Sequence, residues 1–179
     1  MHHPQAVTGN HKMVFLSGNN GFNQNGIEWF IKEVFPLVRK RFSDAELLVG
    51  GSICKVLPSL VDVEGVKAIG YVDNPADFYA LADVAINPVF QGTGLKIKTF
   101  EAISFDKVTI VHPHSMAGVF KKDTAPLMSS ERPQDWVGFL ENIWENPDCI
   151  MSVKEHNKVY LEEMNEHIVK EYKRFLKAE

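Results

Sequence analysis

The sequence predicts an α/β fold: a doubly wound, mostly parallel sheet of about six strands with helices on both faces. Three observations support that expectation. Short apolar runs alternate in order with longer segments of helical periodicity. Most of the runs close on glycine, asparagine or proline, the residues that turn a chain. The length, 179 residues of ordinary composition, suits one domain with a full core. The expected division is a leading linker or tag remnant over residues 1–11 (it starts Met1-His2-His3-Pro4) and one domain over residues 12–179.

The first strand falls at residues 13–16 and runs into Ser17-Gly18-Asn19-Asn20-Gly21, a loop of turn formers. Ile27, Phe30, Ile31, Val34, Phe35, Val38 and Phe42 then recur at helical spacing, with Pro36 expected to kink the helix. Further strands follow at 46–49, closed by Gly50-Gly51, and at 66–69, closed by Gly70. Asn74-Pro75 opens a short helix with Phe78, Leu81 and Ala82. The fourth and fifth strands lie at 84–87 and 108–111, with a glycine-led helix between them. A short sixth strand fits 126–128, and helices close the chain at 133–144 and from about 153 to 176. With right-handed crossovers, the loops 18–21, 70–73, 90–94 and 112–118 share the edge formed by the carboxyl ends of the strands. Ligands bind at that edge in such sheets, near the topological switch point.

The segment Gly92-Thr93-Gly94-Leu95-Lys96-Ile97-Lys98-Thr99-Phe100-Glu101-Ala102 is the most informative in the chain. Two glycines after a strand, followed by a helical pattern, place unpaired N–H groups and a helix N-terminus where an anion can sit. At about 100° per residue, Gly94, Lys98 and Glu101 share a face while Lys96 points elsewhere. A cation and a carboxylate beside an anion-binding turn suit a nucleotide diphosphate: charge for phosphate, an acceptor for ribose hydroxyls. Ile97 stands where a phosphate loop or a dinucleotide fingerprint needs glycine, which excludes both. On spacing alone, an ordinary strand-to-helix turn with a solvated charged face is the more economical reading.

Composition narrows the classes. A net charge of −4 with no basic block argues against nucleic-acid binding. No run of about 18 apolar residues offers a membrane span, and no secretory signal is visible. Cys54 and Cys149 are too few and too dispersed for a disulfide framework, so a reducing cytoplasm is expected. His112-Pro113-His114 has no third ligand at recognisable spacing, and no metal site is expected. Asp106 and Lys107 read as a turn, Asn87-Pro88 as a strand stop, and Trp29, Trp136 and Trp144 as packing residues.

In order along the chain, these blocks resemble the C-terminal, nucleotide-sugar-binding domain of GT-B glycosyltransferases of the family 4, or group 1, type. Residues 15–18 with 23–30 resemble the family's first strand, loop and "N-x-D-A-x-x-W-F" helix start. Gly70-Tyr71-Val72-Asp73 with residues 79–84 resembles "GFV…YLAAADV", and residues 92–102 resemble "G-[TS]-G-L-K-x-K-x-L-E-A". Residues 107–111 with Ala117-Gly118 stand where "GKPVVST…GAEG" is usual. The resemblance implies a Rossmann-like half of a GT-B fold and donor binding for transfer of a sugar from a UDP- or GDP-sugar to an acceptor.

Roles are implied position by position. Gly18, Asn19, Gly92, Thr93, Gly94, Leu95, Lys96 and Lys98 would surround the donor diphosphate, with Lys98 the principal side chain. Glu101 matches the second glutamate of the E-x7-E motif, which holds the ribose, and Thr93 replaces the first. Tyr71 and Val72 would frame the base, and His114 would approach the sugar. The arginine and lysine that many relatives carry in the first loop are missing, which transfers their counter-charge to Lys98 or Lys96. No metal or other cofactor is implied, and no catalytic residue in this chain, since the general base and acceptor site belong to an N-terminal half. The acceptor would be a glycan or lipid-linked glycan of cell-surface polysaccharide, lipopolysaccharide or glycoprotein assembly. The expected setting is the cytoplasm or the inner face of a membrane, reached through that half. A stripe of Tyr160, Leu161, Met164, Ile168, Tyr172 and Phe175 on the last helix would brace it. Alone, the chain should bind donor without turnover. The alternative is a non-catalytic nucleotide-binding or interaction module on the same fold.

Overall fold

A computed structural model describes residues 10–56 and 62–176, so the leading Met1-His2-His3-Pro4 lies outside the described residues. All six expected strands form. They are β1 (Lys12–Leu16), β2 (Glu46–Gly50), β3 (Val66–Gly70), β4 (Val84–Asn87), β5 (Val108–Val111) and β6 (Leu127–Ser129). Their order is β3-β2-β1-β4-β5-β6, with every pair parallel. The order reverses between β1 and β4, so a crevice opens beside their carboxyl ends.

Alternation along each strand feeds two cores. Met13, Phe15, Leu47, Val49, Ile86 and Ile110 face one layer. That layer is made by α1 (Gly21–Trp29), α2 (Phe35–Arg41) and α5 (Pro133–Glu145), through Ile27, Val38, Trp136 and Leu140, with Phe30 between the first two helices. Val14, Leu48 and Ala85 face the other, covered by Phe78 and Tyr79 of α3 (Pro75–Tyr79) and Ala102 of α4 (Ile97–Ser104). The last helix, α6 (Pro147–Leu176), passes from the first core at Ile150 to a third cluster at Tyr160. The tryptophans pack as expected: Trp136 is fully buried, edge-on to Trp29 at 5.9 Å and to Phe30 at 5.4 Å.

Four local expectations change. The helix after β1 breaks upstream of Pro36, in a wide π-type turn over Phe30–Val34. Pro36 has no N–H for the carbonyl four residues back and crowds it, so it sits in the first turn of α2, where that donor is not needed. The helix after β4 starts at Ile97 instead of at the glycines, because Gly92 (φ 88°) and Gly94 (φ 80°) adopt a conformation no right-handed helix contains. The last helix starts at Pro147, ahead of the expected position near 153.

Lys107 is the fourth. Asp106 does turn the chain, with φ of 58°. Lys107, however, is buried at the amino-terminal edge of the sheet. Burial pushes its pKa down to about 8, against the pull of Asp83. Lys154 of α6 pairs with Asp83 at 3.5 Å, and Asn157 donates to the Lys107 carbonyl at 3.0 Å, so α6 is fastened to the sheet by charge as well as by Tyr160.

One close approach controls the site. A Cβ at Gly26 would lie 2.9 Å from Val89 Cα and 3.0 Å from the Pro88 carbonyl oxygen, so α1 rests directly on the chain leaving β4. Alanine would favour the helix by about 1 kcal/mol, but pushing two backbones apart costs about 1–3 kcal/mol. Gly26→Ala should therefore lower Tm by a few degrees in calorimetry, whereas a raised Tm would show that this contact does not constrain the fold.

Candidate functional site

The crevice beside β1 and β4 is bounded by two segments with different means of support. On the β1 side, Ser17 N–H donates to the Gly50 carbonyl at 3.0 Å and extends the strand pairing by one residue. Asn20 caps α1 by accepting from Asn23 N–H at 2.9 Å. Asn19 is held from both sides, its N–H on Ser52 Oγ at 3.0 Å and its Oδ1 accepting from Gln24 Nε2 at 2.6 Å. The Asn23 amide donates from Nδ2 to the Gly18 carbonyl at 2.9 Å.

On the β4 side, the strand end is locked to α4 by a buried hydrogen bond from Asn87 Nδ2 to Thr99 Oγ1 at 2.8 Å. Asn87 thus does more than stop the strand. Ser115 Oγ donates to the Val89 carbonyl at 2.7 Å. The Gly92 carbonyl meets Lys96 Nζ at 3.2 Å and His114 Nε2 at 2.7 Å. His114 is itself oriented, its backbone N–H donating to His112 Nδ1 at 3.1 Å. Burial lowers the His112 pKa, which keeps that nitrogen available as an acceptor. No side chain caps α4; Thr99 N–H closes on the Lys96 carbonyl at 2.9 Å, and the two N–H groups ahead of it face the start of the helix.

Between the two segments lies a cleft of about 300 Å³, lined by Asn20, Phe22 and Asn23 on one side and by residues of 91–98 on the other. Lys98 is its charged centre. Its Nζ donates to Ser17 Oγ at 2.8 Å and to Asn23 Oδ1 at 2.6 Å, and sits 5.1 Å from the centre of the Phe15 ring. Burial pushes its pKa down to about 8, helped by the charge of Lys96 and opposed by Glu101. Glu101 lies one turn further along α4, accepting from Tyr79 Oη at 3.3 Å. Burial, with Glu101 nearby, raises the Tyr79 pKa and keeps the phenol a donor.

Of the sequence-predicted residues, Gly92, Thr93, Leu95, Lys96 and Lys98 line one cleft. Gly18 and Asn19 lie in the facing loop, and Gly94 in the loop ahead of α4. Tyr71 stands past the end of β3 with 85% of its surface exposed, while Val72 packs against the core under α3. His114 commits Nε2 to the Gly92 carbonyl, and Lys96 folds back to the same oxygen. Sequence reasoning missed Ser17, Asn23 and Tyr79 as partners of the charged side chains. Asn23 had a signal, as the asparagine of the helix-start block, but spacing gives no hint of what it reaches. Among the described residues, no three His, Cys, Asp or Glu side chains gather as metal ligands.

A family model for the glycosyl transferases group 1 matches residues 10–146. The chain belongs to that family. An uncharacterized 44.6 kDa protein in the cps region of Klebsiella pneumoniae is 29% identical over 90 residues, covering 45% of this chain and 23% of that protein. Among solved structures, TarM superposes with a TM-score of 0.78 at 13% identity, over 96% of this chain and 36% of its own. The pneumococcal O-GlcNAc transferase GtfA, solved with UDP and GlcNAc, gives 0.65 at 12% identity, over 96% and 36%. At such identities the superpositions establish the fold, a Rossmann-like half of a GT-B architecture. The chain spans a quarter to just over a third of the length of these relatives.

Removing the Tyr79 hydroxyl takes a donor from a partly buried carboxylate. Tyr79→Phe should lower stability by about 0.5–1.5 kcal/mol in a urea titration; an unchanged midpoint would show that Glu101 does not rely on it.

Proposed function

We propose that this chain is the donor-binding half of a glycosyltransferase that moves a sugar from a nucleoside-diphosphate sugar to a surface glycan or a lipid-linked precursor. The observation that carries the reading is the Lys98 ammonium, fixed at the switch-point cleft beside the uncapped start of α4. A pyrophosphate lying against that helix end would take N–H donors around Gly94 and Leu95 and the charge of Lys98. Gly18 and Asn19 would lie beneath it. Glu101 would accept from the ribose, and the backbone at Tyr71 and Val72 would frame the base.

As the glycosidic bond breaks, negative charge grows on the departing diphosphate. Donors already in place stabilise that charge without reorganising, and Lys98 supplies the cation, so activity would not require a divalent metal. Thr93 stands where a carboxylate often holds the sugar, so this chain contributes a hydroxyl there instead.

Acceptor binding and any general base would come from an N-terminal half. The surface prepared for it joins Leu95 and Ile97, the latter 76% exposed, to Ile168, Tyr172 and Phe175 of α6. Between them an apolar groove of about 480 Å³ is lined by Phe100, Phe120, Met164 and His167. The relative's position in a cps region supports a surface-glycan setting.

Calorimetry with UDP, GDP, ADP and CMP tests the reading. One nucleoside diphosphate should bind, without added metal, and Lys98→Ala should weaken it by at least about tenfold. Failure of all four to bind would overturn the proposal. The pH dependence has a defined sign. Lys98 is charged below about 8 and neutral above it, so affinity should hold from pH 6.5 to 7.5 and fall above 8, by up to about tenfold per unit. A flat profile to pH 9.5 would show that burial does not lower the Lys98 pKa in the site. Glu101→Gln should weaken the nucleoside diphosphate several-fold and inorganic pyrophosphate hardly at all.

A further inference from the structure

We propose that Asn23, together with Ser17, is a positioning residue for donor binding, holding the Lys98 ammonium at the cleft and tying it to the loop beneath the diphosphate. The inference rests on the donor-binding reading above, but its physical content, that Asn23 sets the place and charge of Lys98, can be tested without nucleotide.

The geometry at Asn23 admits one orientation of the amide. Nδ2 donates to the Gly18 carbonyl at 2.9 Å, so Oδ1 is the atom 2.6 Å from Lys98 Nζ. Flipping the amide would place an NH2 against an ammonium and a carbonyl against a carbonyl, two repulsive contacts in place of two bonds. The backbone of the same residue is fixed by the Asn20 cap. Asn23 is itself buried, as is Ser17, which gives Lys98 its other acceptor.

This arrangement solves a problem set by the sequence. A lysine carrying the counter-charge alone is a flexible cation on a long stem, and burial drives it towards neutrality. Two neutral acceptors hold it charged without cancelling that charge, which a carboxylate would do. An ammonium has three donors, so two fixed acceptors leave capacity for a third, from a phosphate. The charged groups acting on Lys98 are Lys96, just ahead of α4, which opposes its ionisation, and Glu101 on α4, which favours it. Asn23 also links the two walls of the cleft. A shift of the loop 18–20 is transmitted through one side chain to the cation that meets the same ligand.

The test follows the Lys98 side chain by NMR of lysine-labelled protein across pH, in the wild type, Asn23→Ala, Asn23→Asp and Ser17→Ala, with UDP calorimetry on each. Asn23→Ala should lower the Lys98 midpoint by about one unit, and Asn23→Asp should raise it by at least as much. At pH 7 Asn23→Ala should weaken UDP at least about twofold, through a cation that is half neutral and no longer held, and Asn23→Asp about tenfold, by competing for it. In a Lys98→Ala background, Asn23→Ala should cost less than about twofold, because its effect runs through the missing lysine. Should Asn23→Ala fail to fold, Ser17→Ala, which deletes one hydroxyl, gives the same readout with a smaller downward shift. A Lys98 midpoint unmoved in every folded variant overturns the proposal, as does additive loss in the double variant. If wild-type protein binds no nucleoside diphosphate, the donor-binding reading falls, and the titration still decides whether Asn23 sets the state of Lys98.

Discussion

A partly buried ammonium is expensive to keep in a protein, and this one is kept where three elements meet. Lys98 comes from the first turns of α4, Ser17 from the end of β1 and Asn23 from α1. Stripping water from a charge is unfavourable unless the replacement contacts are good and well placed. The positions of α1 and α4 on opposite sides of the switch point are therefore coupled to the state of a single cation. The close approach of Gly26 to Val89 and the buried Asn87–Thr99 bond do the same work from behind, fixing the two walls against one another.

The two edges of the sheet are built on contrasting principles. At the amino-terminal edge, Asp83, Lys107 and Lys154 bring opposite charges together, and Asn157 ties α6 across them. Opposite charges held against one another there make a brace. At the carboxyl edge the acceptors around Lys98 are neutral and the α4 terminus is uncapped, so positive potential is left unspent.

Much of the fold was legible because its periodicities are strong. β4 and β5 coincide with the expected runs, and the α1–α2 stripe of Ile27, Phe30, Val34 and Val38 is fully buried. What failed was local conformation and long-range electrostatics. Helical spacing of Gly94, Lys98 and Glu101 is compatible with a helix from the glycines onward, and the backbone angles at Gly92, Gly94 and Lys96 delay it to Ile97. In the site, helical facing could not separate Lys98 from Lys96, because Lys96 precedes the helix and lines the same cleft. Ser17 and Asn23 were invisible as partners, since their bonds to Lys98 span 81 and 75 residues. Lys107 looked like a turn residue because the aspartate that accounts for its burial belongs to another strand's start, and the asparagine to the last helix.

The uneven support of α6 has a consequence for its energetics. Over its first half, Ile150, Asn157 and Tyr160 are buried, but Ile168, Tyr172 and Phe175 meet solvent. A few helical turns without tertiary packing are marginal in water. The distal turns therefore sit near the bottom of the molecule's ladder of local opening free energies, with amide protons exchanging far faster than those around Tyr160. Anything that settles on that apolar stripe would gain contact area and also slow the fraying beneath it.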